Sequence, residues 1–522
     1  MTTPVVRTPP APARLGRLLL GAALAAVVVT SGVLPAAAAR PGPPDAARLT
    51  AYLESALRDT RLPGVAAAVV RGDRTVFVGG VGRDGRGSTV TPHTRFFVGS
   101  LSKAFTAVAV LQLVQAGRVR LDAPVQAQLP GFTTSDAGAA ARVTVRHLLN
   151  QTSGLADASF PQVADDDAED LATRVADLRA AHLVDEPGAR FRYSDLNYQV
   201  LGRLVEVVTG MPLGGHLREQ VFGPLGMDRT VSVTTAADGA RLDGLARGHV
   251  LLYGRALPRD ELDGLLAGSG GVVTTAADMA RWLAFQTSGR TSSGELLLRP
   301  DLLDLTHRPP AGGGSYAMGW QVTHRSGNGP ARLEHTGVLS TSSAQQVLLP
   351  DTGDAFALLY NGNSAPADTA GVADGVAALL TGSEPSAVRD TRLTAGLLAA
   401  ATLAVLVAGT RGLLRASRWA ARRRARSGWG TAIRLVPTLI PAVLLLLLPG
   451  VLRAAIGRSF TVWQLTLAAP DVVVLLVATA LAGLAVSAGR AGALIRARAG
   501  ARSTPRASRG PREPGRSNAP GP

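Results

Sequence analysis

Phe97-Val98-Gly99-Ser100-Leu101-Ser102-Lys103-Ala104-Phe105 holds the only lysine in a chain of 522 residues, against a combined Lys and Arg count of 54. A lysine kept in an arginine background belongs where arginine fails. A desolvated lysine can release its proton and arginine effectively cannot. Lys103 follows Ser100 by three residues, and on a helix starting at Ser100 the two share a face one turn apart. Serine is a weak nucleophile that needs a nearby base. Burial at the foot of an apolar helix favours the neutral amine, so a lysine there can be that base. The helix N-terminus also aims backbone N–H groups at the serine, which suits an oxyanion. The bland reading of the same spacing is a helix N-cap followed by a surface lysine, and the solitary lysine weighs against it.

Working outward, Asp45–Leu57 reads as a helix. Gly64–Val70 and Thr75–Val81 read as paired strands joined by Arg71-Gly72-Asp73-Arg74. Phe105–Ala116 and Val200–Val208 read as apolar helices. Met318–Val322, Arg332–His335, Ala344–Leu349 and Ala355–Tyr360 read as successive strands. Strands at both ends with helices between predict an α+β domain whose sheet is closed by its two termini.

Charge separates the ends from the middle. Residues 1–39 carry three arginines and no acid, and residues 395–522 carry 18 arginines and two acids. The middle keeps 33 basic and 36 acidic residues, so the net +16 belongs to the ends. Those arginines flank apolar runs, as membrane topology requires, and do not form a nucleic-acid face. Arg7, Arg14 and Arg17 precede an apolar stretch, Leu18 to Leu34, and the run Ala36-Ala37-Ala38-Ala39, the pattern of a secretory signal cleaved near Ala39, with an uncleaved anchor helix as the competing reading. Leu393–Gly409, Leu435–Leu452 and Leu465–Ala488 approach spanning length. Eight arginines between the first two runs, and the arginine-rich tail, predict that both lie in the cytoplasm. Three spans then put the middle domain outside. The expected organisation is a signal peptide (1–39), an extracytoplasmic domain (40–392), three transmembrane helices (393–489) and a basic, disordered cytoplasmic tail (490–522).

The absence of cysteine excludes disulfides, Cys-ligated zinc, Fe–S clusters and a cysteine nucleophile. Lys103 lacks the glycine spacing of a Walker A loop. No G-x-S-x-G elbow and no H-E-x-x-H occurs, and the eight histidines are scattered. The reading calls for no cofactor, no metal and no nucleic acid.

Two later motifs join the first. Tyr193-Ser194-Asp195 lies in Phe191-Arg192-Tyr193-Ser194-Asp195-Leu196-Asn197-Tyr198, and His335-Thr336-Gly337 precedes Val338. With Ser100-Leu101-Ser102-Lys103 they resemble, in order, the motifs of the serine β-lactamase and penicillin-binding-protein superfamily. The likeness is greatest to the branch of class C β-lactamases, DD-carboxypeptidases and esterases. The stretches His147–Leu155, Pro224–Met227 and Gly270–Met279 also match, and the resemblance covers roughly residues 45–385. It implies an antiparallel sheet flanked by helices with a mostly helical subdomain. It departs from the family pattern at Asp195, where the family has Asn, and has His335 in the frequent His-x-Gly form of Lys-Thr-Gly.

The resemblance implies roles. Ser100 attacks a carbonyl and becomes acylated, Lys103 holds or takes its proton, and Tyr193 passes a proton to the leaving group and later activates water. The backbone N–H groups of Ser100 and Val338 form the oxyanion hole, and Val338–Thr341 lines the cleft. A neutral or titrating His335 binds a substrate carboxylate more weakly than lysine does. That favours a peptidase or esterase over efficient β-lactam turnover. Asp195 turns an amide donor into an acceptor, able to pair with Lys103 or with a substrate amine. The expected protein is a membrane-anchored serine hydrolase of D-amino-acid peptides of the cell wall or of small esters and amides. The competing expectation is a penicillin- or peptidoglycan-binding sensor coupled to the C-terminal spans. Oligomeric state stays open.

Overall fold

The computed structural model describes residues 44–157, 160, 168–310, 314–323, 331–423, 429, 433–456 and 462–502. The expected signal segment and tail residues 503–522 lie outside the described residues.

Strands β1 (Gly64–Arg71) and β2 (Arg74–Gly82) open the domain; β3 (Phe96–Phe97), β4 (Val231–Ser232), β5 (Gly248–Leu252), β6 (Arg255–Arg259) and β7 (Val272–Thr274) lie in its middle. Strands β8 (Tyr316–Ala317), β9 (Trp320–Thr323), β10 (Arg332–Val338), β11 (Ser343–Leu349) and β12 (Asp354–Tyr360) close it. The main sheet has the order β2-β1-β12-β11-β10-β9-β8. Every pairing in it is antiparallel. β1 pairs with β12 from Val65 opposite Tyr360 to Arg71 opposite Asp354, so the two ends of the domain do close the sheet. At the last pair the Arg71 guanidinium holds the Asp354 carboxylate at 2.6 Å.

β1 is an unbroken apolar run because both of its faces are covered. Ala66, Ala68 and Val70 point into the larger core, which contains the helix Ser102–Gln115. Val65, Ala67 and Val69 point into a second core beneath the helices Ala46–Thr60 and Thr369–Leu380. β12 alternates in the same way, with Leu359 on one side and Leu358 and Tyr360 on the other. The strand expected over Met318–Val322 is instead a tight hairpin. Met318 and Gly319 both have positive φ, 43° and 102°, and form the turn between β8 and β9. Two-residue hairpin turns of type I′ demand positive φ at both central positions. Gly319 also lies against the backbone of Ala104, where a Cβ would come within 2.8 Å of the amide nitrogen. The hairpin thus covers the start of the Ser102–Gln115 helix.

Among the described residues two helices are long and apolar enough to cross a membrane, Thr391–Leu414 and Pro470–Ala499. The expected second span, Leu435–Leu452, falls in the helix Val436–Ile456, whose apolar part, Val436–Leu452, is shorter and contains Pro441 and Pro449. Thr391–Leu414 and Pro470–Ala499 reach crossing length, and Val436–Leu452 is a shorter apolar stretch between them. The β5–β6 hairpin docks on these helices. The Tyr253 amide donates to Asp471 at 2.6 Å, its hydroxyl lies 2.9 Å from that of Thr402, and Arg259 stacks over Trp463.

Candidate active site

Ser100 sits in a tight turn, Gly99–Leu101, that runs straight into the helix Ser102–Gln115. The helix therefore begins earlier than its apolar pattern suggested. Gly99 has φ of 51°, and a Cβ there would lie 3.0 Å from the amide nitrogen of Val338. Gly337 approaches from the opposite side, where a Cβ would collide with the Val98 carbonyl oxygen. Two glycines thus let β10 lie directly on the turn and bring the Val338 amide beside the residue preceding Ser100. The helix is anchored by short side chains: Ser102 Oγ accepts from the Val272 amide at 2.9 Å, and Thr106 donates to the Gly268 carbonyl at 2.8 Å.

Lys103 is fully buried. Its Nζ lies 3.0 Å from Ser100 Oγ, 2.6 Å from Asp195 Oδ1 and 2.9 Å from the Ser269 carbonyl oxygen. Nζ also stands 4.9 Å from the centre of the Tyr193 ring. Asp195 opens the helix Asp195–Thr209 and is held from below. The Ser194 hydroxyl and the Asp195 amide both donate to Asp157 Oδ1, at 2.6 and 3.1 Å. Asn197, in the same helix, points away from the cleft and is fixed by Ser153 and Gln151.

His335 is buried. Its Nδ1 lies 2.9 Å from the Thr336 carbonyl oxygen, which can only accept, so Nδ1 carries the proton. Nε2 is then the acceptor for the Tyr316 hydroxyl at 3.3 Å. Burial, with the Lys103 ammonium adding to it, pushes the imidazole down from 6.5 to about 4. The ring is neutral at physiological pH and packs against both Tyr193 and Tyr316. Burial also raises the Tyr316 hydroxyl far above the usual phenol range. Thr336 and Val338 alternate outward, Val338 being half exposed at 51%.

The fold brings Ser100, Lys103, Tyr193, Asp195, His335, Gly337 and Val338 to one place. Sequence reasoning did not find Ser269, whose carbonyl takes one Lys103 proton, or Asp157, which seats Asp195. It also passed over Tyr316 and Glu261. Glu261 follows β6, and its carboxylate accepts from the Ser340 amide at 2.7 Å, the Thr341 amide at 2.9 Å and the Thr341 hydroxyl at 2.8 Å. It pins the loop that follows Val338. A backbone carbonyl leaves no mark in a sequence, and an acid some 80 residues from its partners has no local pattern to reveal it. Among the described residues no group of His, Asp or Glu is arranged to hold a metal.

The family model named Beta-lactamase matches residues 49–381, which include all these groups. The chain belongs to the β-lactamase family. Penicillin-binding protein 4 of Amycolatopsis lactamdurans is 32% identical over 316 residues, covering 58% of this chain and 82% of that protein. Protein flp of Staphylococcus aureus (strain MW2) is 26% identical over 335 residues, and the match covers 61% of this chain and 63% of flp. Among solved structures, the octameric penicillin-binding protein homologue from Pyrococcus abyssi superposes with a TM-score of 0.56 at 22% identity, covering 68% of this chain and 81% of that one. The β-lactamase-family domain therefore has the α+β serine-hydrolase fold, with the apolar helices following it.

Proposed function

We propose that this β-lactamase-family protein is a membrane-anchored, extracytoplasmic serine hydrolase that forms an acyl-enzyme on Ser100. The supporting observation is the Lys103 contact set. The Ser269 carbonyl and the Asp195 carboxylate accept from Nζ, and neither reverses its role. Only the Ser100 contact can reverse. As an ammonium, Lys103 donates to Ser100 Oγ; as a neutral amine, it keeps two donors for its acceptors and turns its lone pair to the serine proton. The same geometry thus serves before and after proton transfer. Ser100 Oγ attacks the acyl carbon and its proton passes to Lys103. Tyr193, over the same Nζ, hands a proton to the leaving group. Water then enters, gives a proton back along this path and releases the acid. The amides of Ser100 and Val338 receive the oxyanion. Neutral, inward-bound His335 offers no cation to a substrate carboxylate, which favours small esters, amides or D-amino-acid peptides over efficient β-lactam turnover.

The two long apolar helices and the arginine distribution support a domain held outside the membrane, with residues 411–434 in the cytoplasm. A third crossing through residues 436–452, and the four-part organisation with its signal and tail, belong to the same proposal.

The test uses the full chain in detergent, incubated with a fluorescent penicillin and separately with an activated ester. A covalent label on the wild type, lost in Ser100→Ala, and ester turnover lost in Lys103→Met are expected. A label that persists in Ser100→Ala overturns the assignment of the nucleophile. Ligand binding with no acyl adduct and no turnover of either compound favours the sensor instead.

A further inference from the structure

A second charged cavity lies far along the chain from the serine, where the helix Thr391–Leu414 gives way to the short helix Ala416–Ala421. Both pack on the C-terminal half of the helix Pro470–Arg502, through Ala416, Ala420, Ala493 and Leu494. The approach is close because glycine stands at the contact: a Cβ on Gly412 would come within 2.7 Å of Val486, and one on Gly409 within 2.8 Å of Ala482. Beside this seam is a cavity of about 440 Å³ walled by Arg411, Arg415, Arg422, Arg423, Arg490 and Trp419. Among the described residues the rest of its lining is alanine and glycine, with no carboxylate. Arg423 and Arg490 both stack on the one indole, at 4.7 and 5.2 Å from its ring centre. The Nε of Arg490 is buried and has no hydrogen-bond partner among the described residues.

Five guanidinium groups stay charged at any physiological pH and repel one another in a shared cavity. The carbonyl end of the Thr391–Leu414 helix offsets part of that charge, close to Arg411 and Arg415. Arg411, Arg415, Arg422 and Arg490, with no carboxylate among the described residues of the lining, call for an anion. Arginine forks match the paired oxygens of a phosphate, and Trp419 has the amphipathic ring favoured at headgroup depth. Leu413 and Leu414 are exposed next to the cavity, where acyl chains would run. We propose that this pocket binds the phosphate of an anionic phospholipid in the cytoplasmic leaflet, as basic pockets between membrane helices do. The proposal rests on the membrane reading given above.

The experiment uses the full chain in nanodiscs of phosphatidylcholine with a minor share of phosphatidylglycerol or cardiolipin. Lipid retained after transfer to detergent is counted by native mass spectrometry. Wild type is expected to keep an anionic lipid. Arg415→Gln with Arg490→Gln is expected to lose about tenfold or more of that retention, as two lost phosphate contacts imply. Arg496→Gln with Arg498→Gln removes equal charge from the same helix outside the pocket and is expected to change nothing. Arg411→Gln with Arg422→Gln, both at exposed positions, replaces the first pair if that pair does not fold. Equal loss from pocket and control pairs overturns the proposal in favour of diffuse attraction. So does retention unchanged by either pocket pair, or retention of phosphatidylcholine alone. Displacement of the lipid by millimolar inorganic phosphate, with phosphate itself held in lipid-free detergent, assigns the site to free phosphate and overturns the lipid. Carbonate extraction of cell membranes checks the underlying reading separately: a chain that washes off is not membrane-spanning, and the proposal falls with it.

Discussion

Replacing Gly337 with alanine puts a methyl group into the narrowest contact of the active site. The new Cβ would collide with the Val98 carbonyl oxygen, and it would lie 2.9 Å from that carbonyl's carbon and 3.1 Å from Leu101 Cδ1. One obstacle is backbone and the other is a fully buried leucine, so neither can rotate aside. β10 has to back away from the Gly99–Leu101 turn, carrying the Val338 amide with it. A displacement of the order of 1 Å in a positioning group costs roughly 10²-fold in rate, equivalent to about 3 kcal/mol of transition-state stabilisation. Overpacking alone costs about 1–3 kcal/mol of stability, so activity and stability must be measured apart. Gly64→Ala separates them. On β1, away from the nucleophile, its Cβ would crowd Val90 at 2.8 Å, the Arg83 carbonyl at 2.9 Å and Asn361 at 3.0 Å, a milder clash than at Gly337. The assay is the second-order rate constant for acylation by a fluorescent penicillin, alongside a thermal melt. Both variants should melt below the wild type, Gly337→Ala the lower of the two, and at a temperature where both stay folded only Gly337→Ala should acylate about a hundredfold more slowly. If both variants acylate at the wild-type rate, the close approach of β10 to the turn has no catalytic purpose and the oxyanion assignment of Val338 loses its basis.

Three further outcomes are expected. Asp195→Asn restores the family's amide and removes the carboxylate from Lys103, and should speed acylation by penicillin; Asp195→Ala leaves an Nζ donor without its acceptor and should cost about 1–3 kcal/mol in a melt. Glu261→Ala frees the loop after Val338, so ester KM should rise several-fold while penicillin labelling of Ser100 persists; an unchanged KM removes Glu261 from the cleft's architecture. His335 and His307 are each pushed down to about 4, mainly by burial. Below pH 6.5 the unfolded chain takes up protons that the folded chain refuses. The stability these histidines contribute is therefore complete above pH 6.5 and lost as pH falls to about 4, at about 1.4 kcal/mol per pH unit for each. His307→Gln, away from the serine and packed edge-on to Trp320, should flatten the fall of melting temperature over that interval.

The parts of the fold that could be read from sequence were those with short-range causes. The run Gly64–Val70 showed itself because both faces of β1 are covered, and its pairing with the last strand followed from strands standing at the two ends. The Met318-Gly319 turn stayed hidden because a methionine with positive φ carries no turn signature; the close packing of Gly319 on Ala104 forces it. At the site, Ser100 and Lys103 were legible from one turn of helix and a residue count. The groups that hold and surround them were not. Asp157, Ser269 and Glu261 act through contacts made only once distant segments meet. The second apolar run, Leu435–Leu452, looked alike in composition to its neighbours, and its shorter helix, with Pro441 and Pro449 inside it, shows only in the structure.

Lys103 is the one ε-amine of the molecule, and the folded protein encloses it completely. Amine-directed reagents therefore meet no lysine on the native surface, and crosslinking or biotinylation through lysine will pass the protein by. The same property makes acylation of that single amine a reporter of opening. Modification at Lys103 counts only those molecules whose core has come apart around the nucleophile, so a rate of labelling becomes a rate of local unfolding at the site itself.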